Sequence, residues 1–251
     1  MPSSSALRIE IEHKLGHRFS AALTPARRTI RETAAIGIAE IDRLLDGGLP
    51  VGAISEITGP ASSGRTCVAL SFVAQRTNAG QVCEWVDVGN ALDPESAAAC
   101  EIDLRRLLWV RCPSFITQAK GKRLSPSNQV LSATDLLLRA GGFAAVVLDL
   151  GDIDARHAGL IPLSAWYSFK QTADLSRTSL VVVGRSAYAQ ASAAVVLECS
   201  PSKQSTFGRT VLNGAAFDVR LTREKTAAPL GISRKPPVST WTADCAWEVE
   251  R

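Results

Sequence analysis

The sequence predicts an α/β fold with a mostly parallel central sheet, an N-terminal helix and a small C-terminal antiparallel strand extension. Three observations carry this. Short apolar runs alternate with helical stretches through the middle of the chain, the pattern of strands joined by crossover helices. Runs such as AAVVLD are apolar throughout rather than at alternate positions, so the sheet is expected to be covered on both faces. The length, 251 residues, suits one large domain with extensions.

The elements follow in order. Residues 1–34 look like an appendage: Ala6–Ala22 can form an amphipathic helix with Leu7, Ile11, Leu15 and Phe19 on one face, followed by the basic, proline-broken TPARRTIRET. Such a helix either packs on its own domain or docks on a partner, and periodicity does not separate the two. Ile38–Leu45 reads as a short helix stopped by Gly47, Gly48 and Pro50. The core, residues 35–200, then has expected strands at Ala53–Thr58, Val82–Asp87, Leu107–Val110, Ala144–Asp149, Ser179–Gly184 and Ala193–Glu198. Its expected helices are Gly64–Asn78, Pro94–Cys100, Ser132–Ala140 and Leu163–Leu175. Residues 201–251 add strand-like runs at Arg209–Leu212 and Phe217–Leu221, then WTADCAWEVE, which suggests an antiparallel edge pair.

Composition narrows the classes. The chain is 46% hydrophobic and 21% charged, with net charge +4 and a pI of about 8.8. Such a mild excess permits nucleic-acid contact without requiring it. Lys203, Arg209, Arg220, Arg223, Lys225, Arg234 and Lys235 could form a DNA-facing patch, but acidic residues are interleaved and a solvated surface accounts for them somewhat better. Six cysteines lack any C-x-x-C spacing, and with three histidines no metal-ligand pattern appears. Cys67 and Cys83 fall in apolar runs and read as small core residues. Charges interrupt MPSSSALRIEIEHKL where a signal peptide needs its apolar segment, and no run is long enough to span a membrane. A reducing, cytoplasmic setting is expected.

The chemistry starts at GPASSGRT, Gly59–Thr66, between a strand and a helix. It matches the phosphate-loop pattern GxxxxGK[ST] except that Arg65 stands at the lysine. Glycines let backbone N–H groups turn inward around an anion, and the following helix adds its positive end. The expected nucleotide site is Gly59, Ser62, Ser63, Gly64, Arg65 and Thr66 with Asp149, which closes AAVVLD. Thr66 and Asp149 are its expected Mg²⁺ ligands, and ATP the expected nucleotide. Arg65 keeps the charge of lysine but is larger, planar and forked, so binding should survive better than catalysis.

The series ISEITGPASSGRT, VDVGNALDP and AAVVLDL, in that order, resembles the RecA recombinase core. A RecA-like P-loop core is therefore expected. In RecA proteins a glutamate that polarises the attacking water lies two residues before ALDP; that position here is Gly89, which cannot activate water. Arg185 stands near the RecA γ-phosphate sensor, and the two loops that bind DNA in RecA are short here, GDIDARHAGLIP and RSAYAQASAAVVLE. Arg156, His157 and Arg185 are the candidate DNA contacts, with Asp152 and Asp154 unfavourable beside phosphates.

IDLRRLLWVRC, the compact loops and a strand-rich tail with Trp241 and Trp247 resemble the ImuA-type accessory proteins of SOS mutagenesis. That resemblance implies a role in translesion DNA synthesis, with error-prone polymerase components and the RecA filament as partners. Single-stranded DNA and self-association are further expected contacts; a membrane is not. It implies a degenerate P-loop ATPase without efficient hydrolysis and without a catalytic residue in place. Two alternatives stand beside it: an active RecA-type, DNA-dependent ATPase of recombinational repair, and an inhibitor docking through its N-terminal helix.

Overall fold

The computed structural model describes residues 32–112, 116–117, 123–124, 126–151, 161–202, 214–224 and 237–244. The helix expected over Ala6–Ala22 and the strand over Arg209–Leu212 lie outside the described residues, as do Arg156, His157, Trp247 and the basic residues Lys203, Lys225, Arg234 and Lys235.

In chain order, β1 (Thr33–Ala34), α1 (Ala39–Leu44) and β2 (Leu49–Pro50) lead into β3 (Ile54–Thr58), α2 (Arg65–Asn78), β4 (Cys83–Asp87) and α3 (Pro94–Ala99). Next come β5 (Leu107–Arg111), the short pair β6 (Ile116–Thr117) and β7 (Arg123–Leu124), α4 (Pro126–Ala140) and β8 (Ala145–Asp149). The series closes with α5 (Leu163–Ser176), β9 (Ser179–Gly184), β10 (Ala193–Pro201), β11 (Gly214–Glu224) and β12 (Val238–Asp244).

Eight strands form one sheet in the order β12-β11-β10-β3-β9-β8-β4-β5. The run from β10 to β5 is parallel; β11 and β12 add antiparallel to its end. The expected α/β class, the mostly parallel sheet and the antiparallel extension are all present.

Alternation of side chains along the buried strands builds two cores. Val147 of β8 and Val181 and Val183 of β9 point with Ile57 towards α1 and α2, where they meet Ile41, Val68 and Phe72. Val146 and Leu148 of β8, with Leu180 and Val182 of β9, point the other way and pack with Val130 and Leu138 of α4 and with Trp166 and Phe169 of α5. This two-sided cover is why the strands carry no polar alternation.

Boundaries shift for local reasons. Helix α2 starts at Arg65 because Gly64 takes a left-handed φ of 81° and serves as its N-cap. Helix α4 begins at Pro126, well before the expected Ser132. Proline is favoured at a first helical position, and the apolar period that marked Ser132 starts only after that first turn. Cys83 is buried as expected, but Cys67 is exposed, which corrects its reading as a core residue. The buried stripe of α2 runs through Val68, Leu70, Phe72 and Val73, and Cys67 lies one step off it.

Candidate functional site

The strand ends of β3, β4 and β8 come together at one edge of the sheet, and a cleft of about 240 Å³ opens there. Its walls include Arg65, Thr66, Trp85, Asp87, Gly89 and Asp149. Parallel strands deliver their C-terminal ends to the same side, so residues far apart in sequence meet without any local signal.

The phosphate loop takes its shape from close approaches. A side chain at Gly59 would stand 2.4 Å from the Cys199 carbonyl of β10, so only glycine lets the loop leave β3 here. Ser62 adopts a left-handed φ of 58° at the exposed loop tip. Ser63 turns inward: it is 1% exposed and its Oγ has no hydrogen-bond partner among the described residues. Thr66 is exposed on the cleft.

Arg65 does not reach outward. Its side chain is buried, with Nη1 donating to the Gly59 carbonyl and Nη2 donating to the Gly151 carbonyl at 3.0 Å. The fork expected to grip phosphate oxygens instead straps the phosphate loop to the end of β8. Asp149 ends that strand, in register with Asp87 of β4, and its Oδ1 accepts from the Gly151 amide at 2.9 Å. Arg65, Thr66 and Asp149 thus line the cleft, while Gly59, Ser62, Ser63 and Gly64 form the loop beside it. Arg185 is exposed on the turn after β9 and is not part of the cleft wall. Arg223 donates to the Gln190 carbonyl, and Arg220 pairs with Glu198 across strands at 3.9 Å. Those two described members of the basic group are therefore already engaged.

The sequence and the site can now be set against known proteins. Residues 4–157 match the RecA N-terminal domain family. The chain belongs to the RecA family. It is similar to Protein RecA of Crocosphaera subtropica, 34% identical over 140 residues, which is 56% of this chain and 37% of that protein. Protein RecA of Thermosynechococcus vestitus is 31% identical over 186 residues, 69% of this chain and 49% of that one. Protein RecA of Allorhizobium ampelinum is 40% identical over 119 residues, 47% of this chain and 30% of that one. The chain thus spans less than half the length of these relatives. The crystal structure of the RadB recombinase superposes with a TM-score of 0.60 over 83% of this chain and 94% of that chain, at 14% identity, which shows the shared fold.

Within this RecA-family site, three features escaped the sequence reading. The first is Asp87. It is buried, and its carboxylate accepts from the Ala91 amide at 3.0 Å, the Leu92 amide at 2.9 Å and Trp109 Nε1 at 3.1 Å. It anchors the segment carrying Gly89 to β4 and β5. Asp87→Asn should cost about 1–2 kcal/mol in urea unfolding, because an amide cannot accept all three donors. A loss within about 0.3 kcal/mol would remove Asp87 from this role. The strand-ending position was visible in sequence; its partners were not.

The second is Glu56 of β3. It is fully buried, and its Oε1 accepts from the Tyr188 amide at 2.6 Å and the Ala189 amide at 2.9 Å. It clamps the short turn between β9 and β10. Burial, the largest influence, raises its pKa against the lowering effect of those two bonds.

The third is an aromatic pair on the C-terminal extension. Phe217 of β11 and Trp241 of β12 face each other in register, with ring centroids 4.9 Å apart. A methyl group at Gly64 would lie 2.9 Å from Phe217 and 3.0 Å from Trp241. The pair therefore seats directly on the end of the phosphate loop.

Among the described residues, no set of three or more His, Cys, Asp or Glu is arranged to hold a metal ion, and no helix is long and apolar enough to cross a membrane.

Proposed function

We propose that this chain is an ImuA-like accessory protein of the DNA-damage response, supporting mutagenic translesion synthesis. Its RecA-family core serves as an interaction scaffold that binds ATP and hydrolyses it poorly. The observation that supports this most is Gly89 on the cleft wall, at the position where the RecA resemblance calls for a water-orienting carboxylate. A glycine supplies no proton acceptor, so water in the cleft gains no general base from that position. Error-prone polymerase components and the RecA filament are the partners of this reading, with single-stranded DNA and self-association as secondary contacts in the cytoplasm.

A second reading, an active RecA-type, DNA-dependent ATPase of recombinational repair, is favoured by Thr66 and Asp149, which both face the cleft as an ATPase holding Mg²⁺ would need.

One experiment separates them: ATP binding and turnover measured in parallel, with and without single-stranded DNA, for wild type and Gly89→Glu. Gly89 does not adopt a left-handed backbone, so glutamate fits its conformation. The accessory reading expects binding with negligible turnover in wild type and measurable turnover regained in Gly89→Glu. Strong, DNA-stimulated turnover by the wild type overturns it in favour of the second reading.

A further inference from the structure

A phosphate loop works by turning backbone N–H groups inward around its ligand, with its basic side chain free to reach the phosphates. Here the loop is closed on its own side chains. The Gly59 carbonyl accepts from Arg65 Nη1. A methyl group on Gly59 would stand 2.5 Å from Ser63 Oγ, so Ser63 packs directly against the start of the loop. Arg65 Nη2 crosses to the Gly151 carbonyl at 3.0 Å, two residues beyond Asp149. The guanidinium therefore spans from the phosphate loop to the end of β8, and it does so at only 7% exposure. The cleft lies along this span. Arg65 and Gly151 belong to its wall together with Thr66 and Asp149, whereas Gly59, Ser62, Ser63 and Gly64 do not. A polyphosphate tail touching both the loop and the Thr66–Asp149 side has to pass through the strap. Charge does not help it in. Asp87, Asp93 and Asp149 line the cleft against the single guanidinium of Arg65, and both terminal nitrogens of that group already donate to carbonyls.

We propose that Arg65 is an autoinhibitory latch on the nucleotide site. While the strap is closed, the loop and the Thr66–Asp149 side are kept apart. A nucleoside triphosphate enters only after Arg65 releases Gly151 and swings out. This rests on the nucleotide-binding reading given above. A planar fork suits the role, because it reaches carbonyls on two separate segments at once; lysine is a point charge on a flexible stem. The closed state lowers the apparent affinity in proportion to the fraction of molecules that are open. Gly151 is the other half of the latch. A methyl group there would sit 3.0 Å from Arg65 Nη2 and 2.9 Å from Asp149 Oδ1, so any residue larger than glycine crowds the strap at its far end.

The test titrates ATP with Mg²⁺ calorimetrically into the full chain and two variants, each checked for fold by circular dichroism. Gly151→Ala keeps Arg65 and weakens its hold. It should bind about tenfold more tightly than wild type, the weight of one charge-assisted hydrogen bond. Arg65→Ala removes the latch together with a positive charge. It should bind at least as tightly as wild type, the opposite of what a direct phosphate ligand would show. Gly151→Ala binding no more tightly than wild type overturns the latch and leaves nucleotide binding intact. So does Arg65→Ala binding about tenfold more weakly, since Arg65 would then hold phosphate itself. Absence of binding by wild type and both variants overturns the nucleotide reading. Gly151→Ala decides the matter even if Arg65→Ala folds poorly.

Discussion

Replacing Trp241 with alanine is expected to destabilise the protein by about 3–5 kcal/mol, the usual cost of removing a large aromatic side chain from a packed site. Trp241 is 6% exposed although it lies on the outermost strand of the sheet. An edge tryptophan buried to that degree must be covered by something other than a second strand. Besides Phe217 on the neighbouring β11, it is covered by the side of the core where α1 packs against β12 and by the phosphate loop at Gly64. The contact works in both directions, because the ring also occupies the space into which the loop would relax. Trp241→Ala should therefore accelerate amide hydrogen exchange across residues 59–66 as well as lower the urea midpoint. Trp241→Phe, which keeps a ring, should lose less than half as much. Phe217 is only half-buried, so Phe217→Ala should cost less, about 1–2 kcal/mol. If Trp241→Ala lowers global stability while exchange in the loop rises no more than elsewhere, the C-terminal hairpin does not brace the nucleotide site.

The second large effect concerns Glu84. This carboxylate on β4 is 0% exposed, and neither of its oxygens has a hydrogen-bond partner among the described residues. Burial alone pushes its pKa up to about 7 from an ordinary 4.5. A raised folded-state pKa means that the folded chain holds its proton more tightly than the unfolded chain does. The contribution to stability is therefore complete below the unfolded pKa, near 4.5, and is lost as pH rises through about 7. The shift corresponds to about 3 kcal/mol at pH 8, as an order of magnitude. Glu84→Gln removes the ionisation and keeps the shape. It should be more stable than wild type by about 3 kcal/mol at pH 8, with the gap closing to about 1 kcal/mol at pH 5. Thermal or urea unfolding across this range measures it. Parallel pH profiles for the two proteins would show that Glu84 is not the buried acid inferred from its surroundings.

Much of the site was legible because phosphate loops are local. Gly59, Gly64, Arg65 and Thr66 are contiguous, and the strand before and the helix after them follow from periodicity. Asp149 was legible because an acid closing an apolar run ends a buried strand. The Arg65 strap was not legible, since the Gly59 carbonyl lies in the same loop but Gly151 is 86 positions away. The same holds for Glu56, whose partners Tyr188 and Ala189 lie beyond six intervening strands in sequence. Phe217 and Trp241 read simply as strand aromatics until the register of β11 and β12 put them on the loop.

By itself, then, the sequence determined the kind of protein: the alternating elements, the doubly covered sheet, the glycine-shaped loop and the missing carboxylate at Gly89. These are properties of short stretches, where sterics and hydrophobic period act directly. The tertiary structure decided what the charged and aromatic residues do. It turned Arg65 from an outward fork into an inward strap, buried Glu84 without a hydrogen-bond partner among the described residues and laid Trp241 across the loop. Each of those outcomes depends on which strands become neighbours, and strand order is settled by the burial of the whole sheet rather than by any segment of it.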